Sequence, residues 1–340
     1  MEDAKVLVWQ DLSVQFVKPY GIIEAVRHVS LSLHKGEILV LAGESGSGKT
    51  VLCRSVLQLM HPSARITSGC IRYHDKNILD YTEKKLRSLR GVSIGMVFQN
   101  PMTTLNPSMS MGMQLREAIS RRKGKLGRQE MDEEAGRLLE MVGISDGRQR
   151  LSLLPGAFSG GQRQRCAIAI ALAMEPDVLL ADEPTTALDV TVQMDILDLL
   201  MDIRHKTGMS ILFVTHDLGV AAHIADRVAI MYAGKIVEIG TADEVFYHPC
   251  HPYTWGLLQA LPGQTAKGEP LLAIPGMPPD MTNVPHGDAF AERNRYALAI
   301  DYEQEPPLFT VSPTHQAATW LLDKRAPQIE VPYAVKRRKT

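Results

Sequence analysis

The sequence predicts an α/β fold: a mostly parallel sheet covered by helices on both faces. Three observations carry that expectation. Short all-apolar runs alternate with helix-length segments, a glycine-rich loop follows the first such run, and the composition is that of an ordinary globular chain. Apolar residues make up 45% of the 340 residues and charged residues 22%, enough to bury a sizeable core. Lys and Arg total 37 against 38 Asp and Glu, for a formal net charge of −1. That balance argues against a protein whose main work is neutralising nucleic-acid phosphates.

Leu7–Phe16 and Val26–Leu33 read as strands, with Pro19 and Gly21 turning the chain between them. Glu37–Ala42 is a strand apolar on both faces; it runs into Gly43–Gly48 and a helix from Lys49 that ends before Pro62. Val92–Phe98 is a further strand. From Asn100 to Pro155 the pattern changes to helices and polar loops, among them Gln129–Val142, and reads as a helical insertion. Ser159–Met174 then suits a helix, Asp177–Ala181 a buried strand, Val190–Lys206 a helix closed by Gly208, and Ser210–Thr215 a strand. A short helix to Ala225, a hairpin around Ala233–Gly234 and a capping box at Thr241–Glu244 follow.

Beyond Pro249 the texture loosens, punctuated by Pro262, Pro270, Pro275, Pro278, Pro279 and Pro285. The expected organisation is a main domain at 1–250, its helical part at about 100–165, and a C-terminal extension at 251–340. Cys53, Cys70, Cys166 and Cys250 form no CxxC pair and read as reduced thiols of a cytosolic chain. The start, MEDAKVLVWQ, carries no signal-peptide pattern, and no apolar run approaches the roughly 20 residues of a membrane span.

Gly43-Glu44-Ser45-Gly46-Ser47-Gly48-Lys49-Thr50 fits GxxxxGK[ST], the phosphate-loop pattern. Its glycines let backbone N–H groups converge on phosphate oxygens, and the helix that follows adds its positive end. Lys49 is expected to reach the β- and γ-phosphates of a nucleotide, and the Thr50 hydroxyl to coordinate Mg²⁺. The run Val178–Ala181 ends in Asp182 and Glu183. Alone, such a pair is commonly a solvated strand end. Beside a phosphate loop it supplies a metal-side carboxylate, Asp182, and a base for the attacking water, Glu183.

Between these motifs lies Phe158-Ser159-Gly160-Gly161-Gln162. A Ser-Gly-Gly turn opening a helix is a second anion-binding element, or simply a cap. One nucleotide needs only one such loop within a monomer, so the second makes sense if it closes over a nucleotide held by another subunit.

Phosphate loop, Ser159–Gln162, LLADEP, TTALD and VTHD in this order resemble the ATP-binding subunits of ABC transporters over about residues 5–250. The resemblance implies the ABC-type phosphate-loop ATPase fold, with an antiparallel β subdomain near the N-terminus and a helical subdomain. It also implies roles. Phe16 stacks on adenine; Gln99, in VFQNP, senses Mg²⁺ and water and links to a transmembrane partner; Ala187-Leu188-Asp189 communicates across a dimer; and His216 contacts the γ-phosphate. Phe158 stands where the family usually has Leu, a conservative change.

The strings Gln99–Pro107, Met231–Glu238 and His251–Trp255 resemble the oligopeptide, dipeptide and nickel importer branch. The tail, from Gly287–Arg293 through Thr319–Leu322, is most similar to the D-type ATPases of Opp/Ami oligopeptide permeases of Gram-positive bacteria. By this resemblance the chain binds ATP with Mg²⁺ and works at the cytoplasmic face of the membrane as a peripheral subunit. Its partners are a second, non-identical ATPase, two transmembrane permease subunits and an extracellular peptide-binding protein; no nucleic acid is expected. Dipeptides or nickel are the alternative cargo. A soluble ABC-type ATPase of DNA repair or translation is a more distant reading, since neither long coiled coils nor a second ATPase unit is seen. Many members of the branch hold an iron–sulfur centre on extension cysteines. This chain has no cysteine after Cys250, and Asp288 and Asn294 stand near where thiols are expected, so no iron–sulfur cluster is expected. Met96, Met102, Met109, Met111 and Met113 suit either a partner-facing surface or local core filling. Lys336–Lys339 suits a solvated end or contact with anionic lipid.

Overall fold

The structure is a computed structural model that describes residues 4–124, 126–186, 188–261 and 274–332. Ala187, Pro262, Pro270, the Lys336–Lys339 run and the side chain of Met102 lie outside the described residues. The chain divides into two compact units. One comprises Met1–Val6, Leu33–Glu37 and His74–Val214; the other Leu7–Ser32, Ile38–Tyr73 and Thr215–Thr340.

In the first unit, the strands Ile94–Val97, Val178–Asp182 and Ser210–Thr215 run parallel, with Met96 opposite Leu180 and Ala181 opposite Phe213. Every residue of Val178–Asp182 and Ser210–Thr215 is buried, as predominantly apolar strands covered on both faces must be. The helices Met111–Lys123, Arg128–Met141 and Gly160–Leu172 pack on one another. Leu115, Ile119, Leu138, Leu139 and Ile168 are buried in this block. Of the methionines, Met111 is buried whereas Met113 is 49% exposed, so the group is shared between core and surface. The long helix Val190–Thr207 ends where Gly208 adopts φ +70°, a left-handed cap that glycine takes without a Cβ penalty.

The second unit carries two sheets. Gly21–His34, Lys5–Lys18 and Ala64–Tyr73 hydrogen-bond in that order, the last two antiparallel. No residue pattern marks Ala64–Tyr73 as a strand. Its alternation is broken where Gly69 packs against the Gln10 and Asp11 carbonyls and the register shifts between Gln10 and Val14. In the other sheet Ile38–Ala42 lies parallel to Arg227–Tyr232, which pairs antiparallel with Lys235–Thr241.

The described part of the extension is more regular than its prolines suggest. Its short strands Gln316–Ala317 and Phe309–Thr310 continue the sheet beyond Lys235–Thr241. Glu238, fully buried on that strand, anchors it: its carboxylate accepts from His315 Nε2 at 2.8 Å and from the N–H groups of Cys250 (2.6 Å) and His251 (3.2 Å). Three donors compensate a buried charge that would be costly alone. The ligand atoms of Glu238, Cys250 and His315 lie within 4.8 Å of one another, but burial pushes the thiol up to about 12. Glu305 adds ion pairs to Arg27 and Lys235. Tyr232, Tyr253 and Phe290 pack tilted and edge-to-face with ring centroids 4.6–5.3 Å apart, joining hairpin, helix and tail in one aromatic cluster.

Candidate nucleotide site

The phosphate loop belongs to the second unit. The fully buried strand Ile38–Ala42 delivers the chain into Gly43, and the helix Lys49–Ser55 takes it up again. Gly43 (φ +147°) and Gly48 (φ +104°) are fixed by close backbone approach: a Cβ would collide with the Met231 carbonyl at the first and with the Ala25 carbonyl at the second. Ser45 and Gly46 face solvent, Ser47 is buried and Thr50 is half-buried. Lys49 is 3% exposed, and its Nζ donates to the Gly43 carbonyl (2.9 Å) and the Glu44 carbonyl (2.7 Å). The ammonium thus rests against loop carbonyls, with which a phosphate can compete. The same unit holds Phe16, half-buried with the Lys18 ammonium 5.9 Å above its ring, and His216, exposed immediately after the strand Ser210–Thr215.

The first unit holds the other predicted residues. Asp182 closes its strand fully buried. Glu183 then turns into the left-handed region at φ +47°, a strained conformation for a side chain-bearing residue, with its N–H bonded to the Val214 carbonyl (3.1 Å). Its Oε2 accepts from Gln99 Nε2 (3.1 Å) and from the Thr186 hydroxyl (2.9 Å). Two donors on one oxygen fix the orientation of the carboxylate. Gln99 and Glu183 are thereby brought together from positions 84 residues apart.

Ser159 caps the helix Gly160–Leu172: its hydroxyl accepts the Gln162 N–H while the Gln162 side chain takes the Ser159 N–H. Asp189 caps Val190–Thr207 through Val192 N–H. The two helix starts touch, since a Cβ on Gly161 would lie 2.5 Å from Val192 Cγ1. Two positive helix ends therefore stand side by side, with Ser159, Gly160 and Asp189 exposed.

Residues 26–186 match the family model described as ABC transporter, and residues 237–300 match the oligopeptide/dipeptide transporter C-terminal region. The chain is 50% identical to the oligopeptide transport ATP-binding protein OppD of Bacillus subtilis, over 98% of this chain and 93% of that one. It is 47% identical to the dipeptide transport ATP-binding protein DppD of Lactococcus lactis subsp. cremoris, over 97% and 94%. The chain belongs to the ABC transporter ATPases. Among solved structures it resembles the ATP-binding cassette MJ0796, a dimer in a post-hydrolysis state bound to ADP and Pi. The TM-score is 0.63 at 28% identity, covering 69% of this chain and 98% of that one. As an ABC transporter ATPase the chain binds ATP and hydrolyses it to ADP and phosphate. No helix among the described residues is long and apolar enough to cross a membrane.

Three residues of this ABC ATPase gained contacts that sequence reading did not assign. Thr186 orients Glu183, Tyr253 accepts the Glu44 N–H through its hydroxyl (2.9 Å), and Arg293 pairs with the Glu44 carboxylate. Tyr253 and Arg293 fall within strings that signalled the importer branch, but nothing in their spacing linked them to the phosphate loop.

At the place where iron–sulfur ligands are expected, the donors are oxygens already in use. Asp288 Oδ1 accepts from Phe290 N–H and Asn294 Oδ1 from Tyr296 N–H. Such a set does not fit a cluster held by thiolates. Burial pushes Asp288 up to about 7 against the Phe290 N–H, helped by the Asp301 and Glu305 charges. Its folded pKa lies above the unfolded value of about 3.9. The stability linked to its protonation is therefore complete below about pH 4 and is lost as pH rises to about 7. Asp288→Asn should stabilise the protein at pH 8 by up to about 4 kcal/mol, with the gain shrinking steadily towards pH 5. Thermal melting of both proteins across that range checks it, and a pH-independent difference would remove the titration from the account.

Proposed function

We propose that this chain energises import of oligopeptides as one of two non-identical ATPases on the cytoplasmic face of a membrane complex with two permease subunits. An extracellular peptide-binding protein would deliver cargo to that complex. The observation that carries the catalytic part is Glu183, strained and oriented by Gln99 and Thr186 at the end of a buried strand. In this reading Phe16 stacks on adenine, and the loop from Gly43 through Glu44, Ser45, Gly46, Ser47 and Gly48 wraps the phosphates. Lys49 moves from the loop carbonyls to the β- and γ-phosphates. The Thr50 hydroxyl, the Asp182 carboxylate and the Gln99 amide oxygen are hard donors of the kind Mg²⁺ takes. Bound Mg²⁺ supplies charge neutralisation at the phosphate oxygens. Glu183 accepts a proton from water as its oxygen attacks the γ-phosphorus and the bond to the β-phosphate oxygen breaks. His216 holds the γ-phosphate. Ser159, Gly160, Gly161 and Gln162, with Asp189 beside them, close over nucleotide bound to the partner ATPase. Tighter ATP binding by the closed pair than by the open one supplies the work.

The oligopeptide assignment is supported by the OppD likeness; the DppD likeness favours dipeptides as the second reading. Deleting the chain from its host and measuring uptake of labelled oligopeptides, dipeptides and nickel tests both. Loss confined to nickel would reject both. Lys49→Ala should weaken ATP binding roughly 10–100-fold, the scale of lost hydrogen bonds from a charged group. A nucleotide titration of the purified chain measures it; unchanged affinity would take Lys49 out of the phosphate site.

A further inference from the structure

Glu44, the second residue of the phosphate loop, is gripped from a distant part of the sequence. The Arg293 guanidinium meets its carboxylate in a two-pronged pair, Nη1 to Oε2 at 2.8 Å and Nη2 to Oε1 at 2.9 Å, across 249 positions. Arg293 is itself fixed on every side. Its Nε donates to the Pro275 carbonyl (2.8 Å), its Nη1 also donates to the Tyr232 hydroxyl (3.2 Å), and its guanidinium carbon sits 5.6 Å from the Tyr232 ring centroid. The side chain is 7% exposed against 25% for Glu44. Burial works against its charge, yet the bonds to Glu44 and Tyr232 keep it firmly protonated. Glu44 is also held by its backbone: its N–H goes to the Tyr253 hydroxyl and its carbonyl receives Lys49 Nζ. Two of these three grips come from residues beyond 250.

A carboxylate on a loop that must wrap a polyanion is a liability unless it is neutralised, because like charges at short range disfavour binding. We propose that Arg293 is a positioning residue for nucleotide binding: by neutralising and fixing Glu44, the C-terminal extension sets the affinity of the phosphate loop for ATP. The inference rests on Gly43–Thr50 being the loop that holds ATP. The bidentate fork is what makes arginine the fitting residue, since it delivers charge and geometry together.

The test measures ATP dissociation constants for the full chain and KM and kcat for the assembled complex. Arg293→Ala should weaken ATP binding roughly tenfold, the scale of one unmasked charge near the phosphates, raising KM with kcat little changed. Adding Glu44→Gln to Arg293→Ala should restore most of the affinity, because the repelling charge is gone. A purely structural role of Arg293 would not be relieved in that way. Arg293→Lys keeps the charge and the stem and should bind ATP within about threefold of the wild type; if the alanine variant does not fold, Arg293→Gln, which removes the charge but keeps a polar side chain, takes its place in every comparison. Unchanged affinity in Arg293→Ala, a loss that Glu44→Gln does not relieve, or a loss in Arg293→Lys as large as that in Arg293→Ala would each overturn the proposal. Lys49→Ala runs alongside. If it too binds ATP normally, the phosphate-loop reading has failed; if it alone loses binding, only the role of Arg293 has.

Discussion

Glu183→Gln should retain ATP binding while hydrolysis falls by about two to four orders of magnitude, the usual contribution of a positioned base. The amide keeps an oxygen that can accept from Gln99 Nε2 and the Thr186 hydroxyl, so the surroundings need not rearrange. The left-handed backbone at φ +47° costs the variant as much as the wild type. What is lost is the capacity to take a proton from water. Single-turnover hydrolysis beside a nucleotide titration separates the two steps. Turnover at the wild-type rate would remove Glu183 from the catalytic role, and lost binding would mean that the substitution had disturbed more than the base.

Gly160→Asp should abolish most ATPase activity of the assembled complex, by about a hundredfold or more, yet leave ATP binding by the isolated chain unchanged. Gly160 has open space where its Cβ would be, whereas a side chain on Gly161 would meet Val192 of its own chain. Gly160 is therefore the cleaner probe: the new carboxylate adds a negative charge at an exposed helix start without disturbing the local packing. If that turn receives the γ-phosphate of a nucleotide on the partner ATPase, repulsion opposes closure, and a few kcal/mol suffice for the stated loss. Full activity in the complex would show that the nucleotide sites are not shared. Weakened binding in the lone chain would show that Ser159–Gln162 acts within its own subunit.

The parts of this protein that were legible in its sequence are those encoded locally. Ile38–Ala42, Val178–Asp182 and Ser210–Thr215 announce themselves because each has an unbroken apolar run of four or more residues, and Gly208 and Thr241–Glu244 because helix ends have their own chemistry. The phosphate loop is readable because Gly43 and Gly48 face carbonyls that leave no room for a Cβ, and Gly46 takes a positive φ. What stayed hidden is non-local. The bulged strand Ala64–Tyr73 has too little alternation to be seen. Thr186 and Arg293 act through partners that only the folded chain brings within reach, and Arg293 sits in irregular turns where no periodicity marks a side chain as buried.

The two-residue strands of the extension bear on how safely this protein can exist at high concentration. Without them the seven-residue strand Lys235–Thr241 would be the rim of its sheet, offering a row of unsatisfied N–H and C=O groups to any passing chain. Gln316–Ala317 interrupts that rim by pairing with its middle, at Glu238 and Ile239, and the outer strand Phe309–Thr310 is too short to template another strand. Shortening the chain to its ATPase portion would uncover a sticky margin and strip Glu238 of His315 at the same stroke. The tail thus doubles as a guard against aggregation, a duty independent of any cargo.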